Sequence, residues 1–459
     1  MNSTTNWFST QKNSESGWKL DVISLLAVIG ESSVESHLQV LTSSWYCILP
    51  RLIPAPQALL KPTRPLRLPD ANAAVVGVHN GTLVPSLNYF PEIFHPIESL
   101  PPFSFQVFEI THNPNRQQNQ TLDTDQEVQA SDDSQQSICI GADPATNRGG
   151  FVHPSRQSTL SNLKRMLKRE KDRPCIPSRK TSPLNIVTIV SFFWTCGLVV
   201  WASVIGDGTA ILALASISLV SSLVGLASYW KPVLMKRPSK IKVPAGDVVI
   251  RTREGAFIVV KCNEEVAREL YTGTEECDYY ITNEVYRILV GIGTVLLMIS
   301  VVLLGNCRFT MQAAIGLSYM VLNGIFWAAS LLNRRKFWDL SYYNIKPITP
   351  PTSRNADHVM NKGVGPEDMP SYTRTLWYAI RETKEVDWVG RGGAAPRTPE
   401  WDEWVRLAGE NARMGNLDWP AVRMRDRLVG NGAVQNSPLA EETSRRRPPA
   451  FEVPPKTNT

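Results

Sequence analysis

Two blocks of nearly unbroken apolar residues, Leu184–Trp230 and Val285–Leu332, stand out from a chain that is otherwise mixed or polar. Each block is interrupted once near its middle, by Gly206-Asp207-Gly208 in the first and Gly305-Asn306-Cys307-Arg308 in the second. Each therefore reads as two apolar runs joined by a tight turn. The runs are about 20 to 24 residues long, which at 1.5 Å per residue matches a hydrocarbon core of roughly 30 Å. The pattern predicts an all-α membrane protein with four transmembrane helices in two hairpins, 184–205 with 209–230 and 285–304 with 309–332.

The flanking pattern is weaker. Met1 to about Gln157 shows no sustained period, and Pro50 to Pro102 carries eleven prolines, which disfavour helix interiors and central strands. An Asn/Gln/Asp-rich tract follows from His112 to Ser137. The expectation for 1–157 is a disordered arm. A short apolar run at Val22–Ile29 lies between Asp21 and Glu31 without a clean cleavage site, so it does not read as a signal peptide. Segment 158–183 reads as a basic amphipathic juxtamembrane helix. Leu160, Leu163, Met166 and Leu167 fall on one face, with Lys164, Arg165, Lys168, Arg169 and Lys171 as membrane-surface residues suited to anionic lipid headgroups.

Between the hairpins, residues 231–284 form a hydrophilic insert with its own small α+β pattern. Asp247–Thr252 and Ala256–Lys261 read as a hairpin around Arg253-Glu254-Gly255, and Asn263 as the cap of a short helix to Tyr271. The acidic residues Glu264, Glu265, Glu275, Glu276 and Asp278 read as a solvated face. Beyond the last span, 333–430 is a Trp-rich, partly helical arm. Its helices are expected from Ser371, from Thr398-Pro399 and from Asp418-Trp419-Pro420, and its tryptophans serve either an interface or a small core of their own. Residues 431–459 read as a disordered tail.

Charge adds orientation. Basic residues crowd the outer ends of the four runs: eight lie between Lys164 and Lys180, five between Lys231 and Lys242, and Arg334, Arg335 and Lys336 follow the last run. The two turns hold only Arg308. By the positive-inside rule the N-terminus, insert and C-terminus are cytoplasmic, and sequons at Asn2, Asn80 and Asn119 are expected to stay unmodified. The net charge of +6 and the mean hydropathy of −0.15 average over this split and decide nothing.

Candidate chemistry is sparse. The seven cysteines and six histidines are scattered, with no zinc-type spacing, and no nucleophile–base motif or phosphate loop occurs. No catalytic, cofactor or metal residues are expected, and no nucleic-acid patch. Within the runs, Asn185, Gln312 and Asn323 are the candidate intramembrane polar contacts, and Ser218/Ser222, Ser221/Gly225 and Gly324/Ala328 suit close helix packing. The stretch from Gly246 to Tyr271 with Thr272-Gly273-Thr274-Glu275-Glu276-Cys277-Asp278, set between two apolar hairpins, resembles uncharacterised multi-pass membrane proteins of filamentous fungi over about residues 182 to 430. That resemblance implies a membrane location only. The layout of two hairpins around a cytoplasmic loop is also broadly similar to reticulon-type proteins. The expected function is a non-catalytic scaffold or membrane-organising protein acting on the bilayer and an unknown cytoplasmic protein partner. The alternative is a carrier or channel for an uncharged small solute.

Overall fold

The computed structural model describes residues 37–53, 56–114, 173–236, 243–360 and 365–435. Of the basic segment expected at 158–183, residues 158–172 lie outside them, as do residues 436–459 of the tail expected at 431–459. In chain order the main elements are α1 (Leu38–Thr42), β1 (Ala73–Gly77), β2 (Leu83–Val84), α2 (Tyr89–Phe94) and β3 (Phe105–His112). The first hairpin follows as α3 (Pro183–Ile205) and α4 (Gly208–Ser228). Next come β4 (Trp230–Val233), β5 (Val248–Thr252), β6 (Phe257–Cys262), α5 (Glu264–Val266, continuing as a π-turn over Ala267–Thr272) and β7 (Glu276–Tyr279). The second hairpin is α6 (Asn283–Gly305) and α7 (Phe309–Ser330). The chain then adds β8 (Tyr343–Pro347), α8 (Tyr372–Thr383), α9 (Asp387–Arg391), α10 (Pro399–Met414) and α11 (Ala421–Gln435).

Helices α3, α4, α6 and α7 are long and apolar enough to cross a membrane. Their ends fall within two residues of the apolar runs, because each end has a local cause. Pro183 opens α3, and Gly206 closes it in the left-handed conformation at φ 69°. Asp207 then caps α4, accepting from the Ala210 N–H at 3.1 Å and the Thr209 hydroxyl at 2.6 Å. The other oxygen of Asp207 accepts from the Arg308 N–H at 2.8 Å, and the Arg308 guanidinium donates to the Ile205 carbonyl at 2.8 Å. One carboxylate thus joins both turns at the far end of the bundle.

At the opposite end stands a head, and here the all-α expectation is corrected. The head is built on a six-stranded mixed sheet in the order β2-β1-β5-β6-β3-β8, beside a two-stranded ribbon of β4 and β7. β1, β2 and β3 come from the arm expected to be disordered, β5 and β6 from the insert, and β8 from the C-terminal arm. The insert is therefore no separate unit: its hairpin is the centre of a sheet shared by all three polar regions. β1 pairs antiparallel with β5, and β3 pairs parallel with β6.

Both faces of this sheet are buried, which is why its central strands read as continuous β-branched runs. Val75, Ile110, Ile250, Ile258 and Val260 face a core that takes in Phe90 and Phe94 of α2, Trp230, Trp338, Leu184 at the start of α3, and Phe326 and Ala329 at the end of α7. Head and bundle are one continuous core. On the other face Val76, Val107, Val249, Phe257 and Val259 pack against α8 to α11. Trp377, Trp388, Trp404 and Trp419 are buried there, with Trp377 and Trp419 rings 4.8 Å apart. The C-terminal tryptophans thus form a core with the sheet, and Trp338 closes the junction below it. α11 also runs through Gly430, where the sequence suggested a stop, to Gln435.

The second correction concerns Ser44–Ile53. This segment enters the bundle between α3 and α4 as a 3-10 turn (Trp45–Ile48) followed by extended chain. The Leu52 N–H donates to Thr195 Oγ1 at 2.9 Å, and the Leu52 carbonyl accepts from Ser191 Oγ at 2.6 Å. Thr195 lies twelve residues into α3, about 18 Å from the head end at 1.5 Å per residue. The chain returns beside Val220 and Val224, with Ile53, Leu59 and Leu60 in the same cluster. A re-entrant segment therefore reaches about halfway along the bundle. Gly225 makes this close approach possible, since a Cβ there would lie 2.1 Å from the Cys47 carbonyl oxygen. Gly225→Ala is expected to push the segment out, at an overpacking cost of about 1–3 kcal/mol. Peptide-resolved maleimide labelling of Cys47, only 2 % exposed in the native protein, will rise; unchanged labelling contradicts this packing.

Candidate functional site

The segment 44–53 carries the most unusual polar group of the bundle. Arg51 is buried, and its guanidinium is met by backbone carbonyls and by no carboxylate among the described residues. Its guanidinium donates to the Tyr46 carbonyl at 3.1 Å and the Cys47 carbonyl at 3.5 Å, satisfying the free carbonyl end of the 3-10 turn. The Arg51 N–H donates to Ser221 Oγ at 3.2 Å, and that hydroxyl donates to the Leu49 carbonyl at 3.3 Å. Cys47 Sγ donates to the Gly225 carbonyl at 3.3 Å. Irregular backbone survives at membrane depth only where protein satisfies it. Here Ser191, Thr195 and Ser221 do so.

The sequence-predicted polar residues sit in three separate places. Asn185 is buried in the first turn of α3 and donates to the Arg179 and Lys180 carbonyls at 3.0 and 3.3 Å, fixing the entry of the helix. Gln312 lies at the far end, donating to the Gly305 and Cys307 carbonyls at 3.1 and 3.0 Å. Asn323 lies on α7 with its Oδ1 buried and without a hydrogen-bond partner, as is the hydroxyl of Tyr319 one turn away. The three are not brought together. Lys164, Arg165, Lys168, Arg169 and Lys171 lie outside the described residues. Of the small-residue pairs, Ser221 and Gly225 receive the re-entrant segment, whereas Gly324 has open space where a Cβ would be.

A second polar cluster lies under the sheet. His95 Nε2 is 2.8 Å from the Tyr271 hydroxyl, while Glu269 Oε2 is 2.8 Å from His112 Nε2 and accepts from the Tyr343 hydroxyl at 2.9 Å. Glu275 is also buried, correcting its place on a solvated face; its two oxygens accept from the Tyr89 and Phe90 N–H groups at the start of α2. Burial pushes the Glu275 carboxyl up to about 8 against those two donors. Burial, helped by the Arg335 charge, pushes His95 down to about 3. Arg335 itself closes α2 by donating to the Ile93 and Phe94 carbonyls at 3.1 and 2.9 Å. Glu275 and Arg335 are satisfied by backbone, His95 Nδ1 is buried without a partner, and cavities of about 440, 610 and 400 Å³ elsewhere are lined by other residues. Among the described residues no group of His, Cys, Asp and Glu is placed to hold a metal ion.

His95 carries a pH consequence. Its folded value lies below its ordinary 6.5, so the stability it lends is present above pH 6.5 and is lost as pH falls through 6.5 toward 3. The melting temperature of the detergent-solubilised protein will fall over that interval, and the fall will be smaller in His95→Phe. Identical profiles for the two proteins contradict a buried neutral imidazole.

Comparison with protein-family models, with curated proteins and with solved structures gave no match, so the geometry alone carries the functional reading of this four-helix membrane protein.

Proposed function

We propose that this protein is a non-catalytic membrane scaffold that holds its head at a fixed height on the bilayer and offers it to a cytoplasmic protein partner. What supports this reading is the continuous core from the sheet through Trp230 and Trp338 to Leu184, Phe326 and Ala329. Such a head cannot swing on a linker. The centre of the bundle is occupied as well: Leu52 packs with Leu198, Ala213, Leu214 and Ile217 where a solute path would run. The basic residues beside the spans favour a cytoplasmic head, with Lys164, Arg165, Lys168, Arg169 and Lys171 adding attraction to an anionic leaflet.

One observation favours the second reading, a carrier for an uncharged solute: the unpartnered Tyr319 hydroxyl and Asn323 carbonyl oxygen, one helical turn apart. Unpaired polar atoms in lipid are costly, and a solute able to bond both would offset that cost.

Asn80 gives a direct test of orientation, because it lies exposed at the turn between β1 and β2 within a sequon. The protein will stay in the membrane pellet after carbonate washing and show no mobility shift with a glycosidase; sugar on Asn80 overturns the cytoplasmic head. Proximity labelling from the head will enrich cytoplasmic proteins over lumenal ones. Proteoliposomes will show no flux of small polyols, whereas flux that Asn323→Leu abolishes favours the carrier.

A further inference from the structure

At the junction of head and bundle a cavity of about 400 Å³ is lined by Trp45, Tyr229, Lys231, Asp278 and Tyr280. We propose that this cavity binds the headgroup of a choline-type phospholipid. The inference rests on the bundle spanning a bilayer, not on the scaffold role.

The position comes first. Tyr229 directly follows the last residue of α4, and Tyr280 precedes the start of α6 by three residues. Helices of 21 and 23 residues are roughly 32 to 35 Å long, so their ends stand at headgroup level in a bilayer with a roughly 30 Å core. Trp45 arrives at the same level from the re-entrant segment, as the first residue of its 3-10 turn.

The chemistry selects the headgroup. Trp45 and Tyr229 have ring centroids 5.1 Å apart at 67°, and Tyr229 and Tyr280 are 6.4 Å apart at 64°. The three rings form a contiguous aromatic wall of the cavity, in edge-to-face contact with one another. Trp45 and Tyr280 are 64 % and 75 % exposed, so this wall is open to the outside. Rings in that arrangement attract a quaternary ammonium through their negative faces. Lys231 and Asp278 stand opposite each other in the β4–β7 ladder, adding one cation and one anion to the same wall. Lys231 suits the phosphodiester, and Asp278 favours the ammonium over a second phosphate. A purely anionic lipid would meet Asp278 unfavourably, and a primary ammonium keeps too strong a hydration shell to exploit the rings fully.

The full-length protein, delipidated in detergent, is offered equal amounts of phosphatidylcholine, phosphatidylethanolamine and phosphatidylserine, and retained lipid is read by native mass spectrometry. Phosphatidylcholine will be retained in preference to phosphatidylethanolamine. Trp45→Ala with Tyr280→Ala will lower that retention about tenfold, since two ring contacts are lost. Both side chains are mostly exposed, so the melting temperature will hold and binding is read separately from folding. Free phosphocholine in excess will compete, which identifies the headgroup rather than the acyl chains as the recognised part. Equal retention of the choline and ethanolamine lipids, or unchanged retention of phosphatidylcholine in the double variant, overturns the proposal. A protein that resists carbonate washing yet shows no choline preference overturns this site alone and leaves the membrane reading standing.

Discussion

Lipid offers nothing to a peptide N–H or carbonyl, and that constraint governs how Ser44–Ile53 enters the bundle. A helix satisfies its own backbone; a 3-10 turn followed by extended chain does not. The deficit is made up by three hydroxyls, Ser191, Thr195 and Ser221, and by one guanidinium that folds back onto its own turn. Each sits where two chain segments already touch. The segment consequently helps fix the spacing of α3 and α4, with Leu52 packed among Leu198, Leu214 and Ile217.

From this follows the coupling of the two halves of the molecule. The same N-terminal chain that descends into the bundle rises again beyond Leu60, where Arg64 is stacked over Tyr279 at 4.0 Å and Tyr286 at 4.9 Å and donates to the Asn283 side chain at 2.9 Å. It then supplies β1 and β3 to the sheet. Bundle, junction and head share one strand of covalent continuity as well as one core.

The spans were legible because 20-residue apolar runs have no other use and their turns carry glycine and a capping aspartate. The insert hairpin was legible for the same local reason, with Gly255 at φ 76° in its turn. The N-terminal strands were obscured by averaging: eleven prolines dominate Pro50 to Pro102, yet Asp70 to Val84 contains none and holds Asn80-Gly81 between apolar runs, a strong hairpin signal. Re-entry at Arg51 had no comparable signal. An arginine among prolines and leucines reads as surface chain, and only tertiary partners drawn from helices more than a hundred residues away give it a place in the bundle. Glu275 was likewise misplaced, since it lies beside the exposed Glu276 in a run of acids and its partners in space are the first N–H groups of α2.

Sheet order has a cost in time. β3 lies between β6 and β8, and those strands are separated from it by one membrane hairpin and by two. At roughly 5–20 residues per second, a ribosome that has finished His112 needs on the order of ten to fifty seconds to reach Pro347. For the first part of that interval Val75, Val76, Phe105 and Val107 await their partners on β5 and β6, and for all of it the far edge of β3 awaits β8, beside a membrane that is itself being filled. Translation of this protein thus obliges the cell to shelter its first strands until its last one emerges.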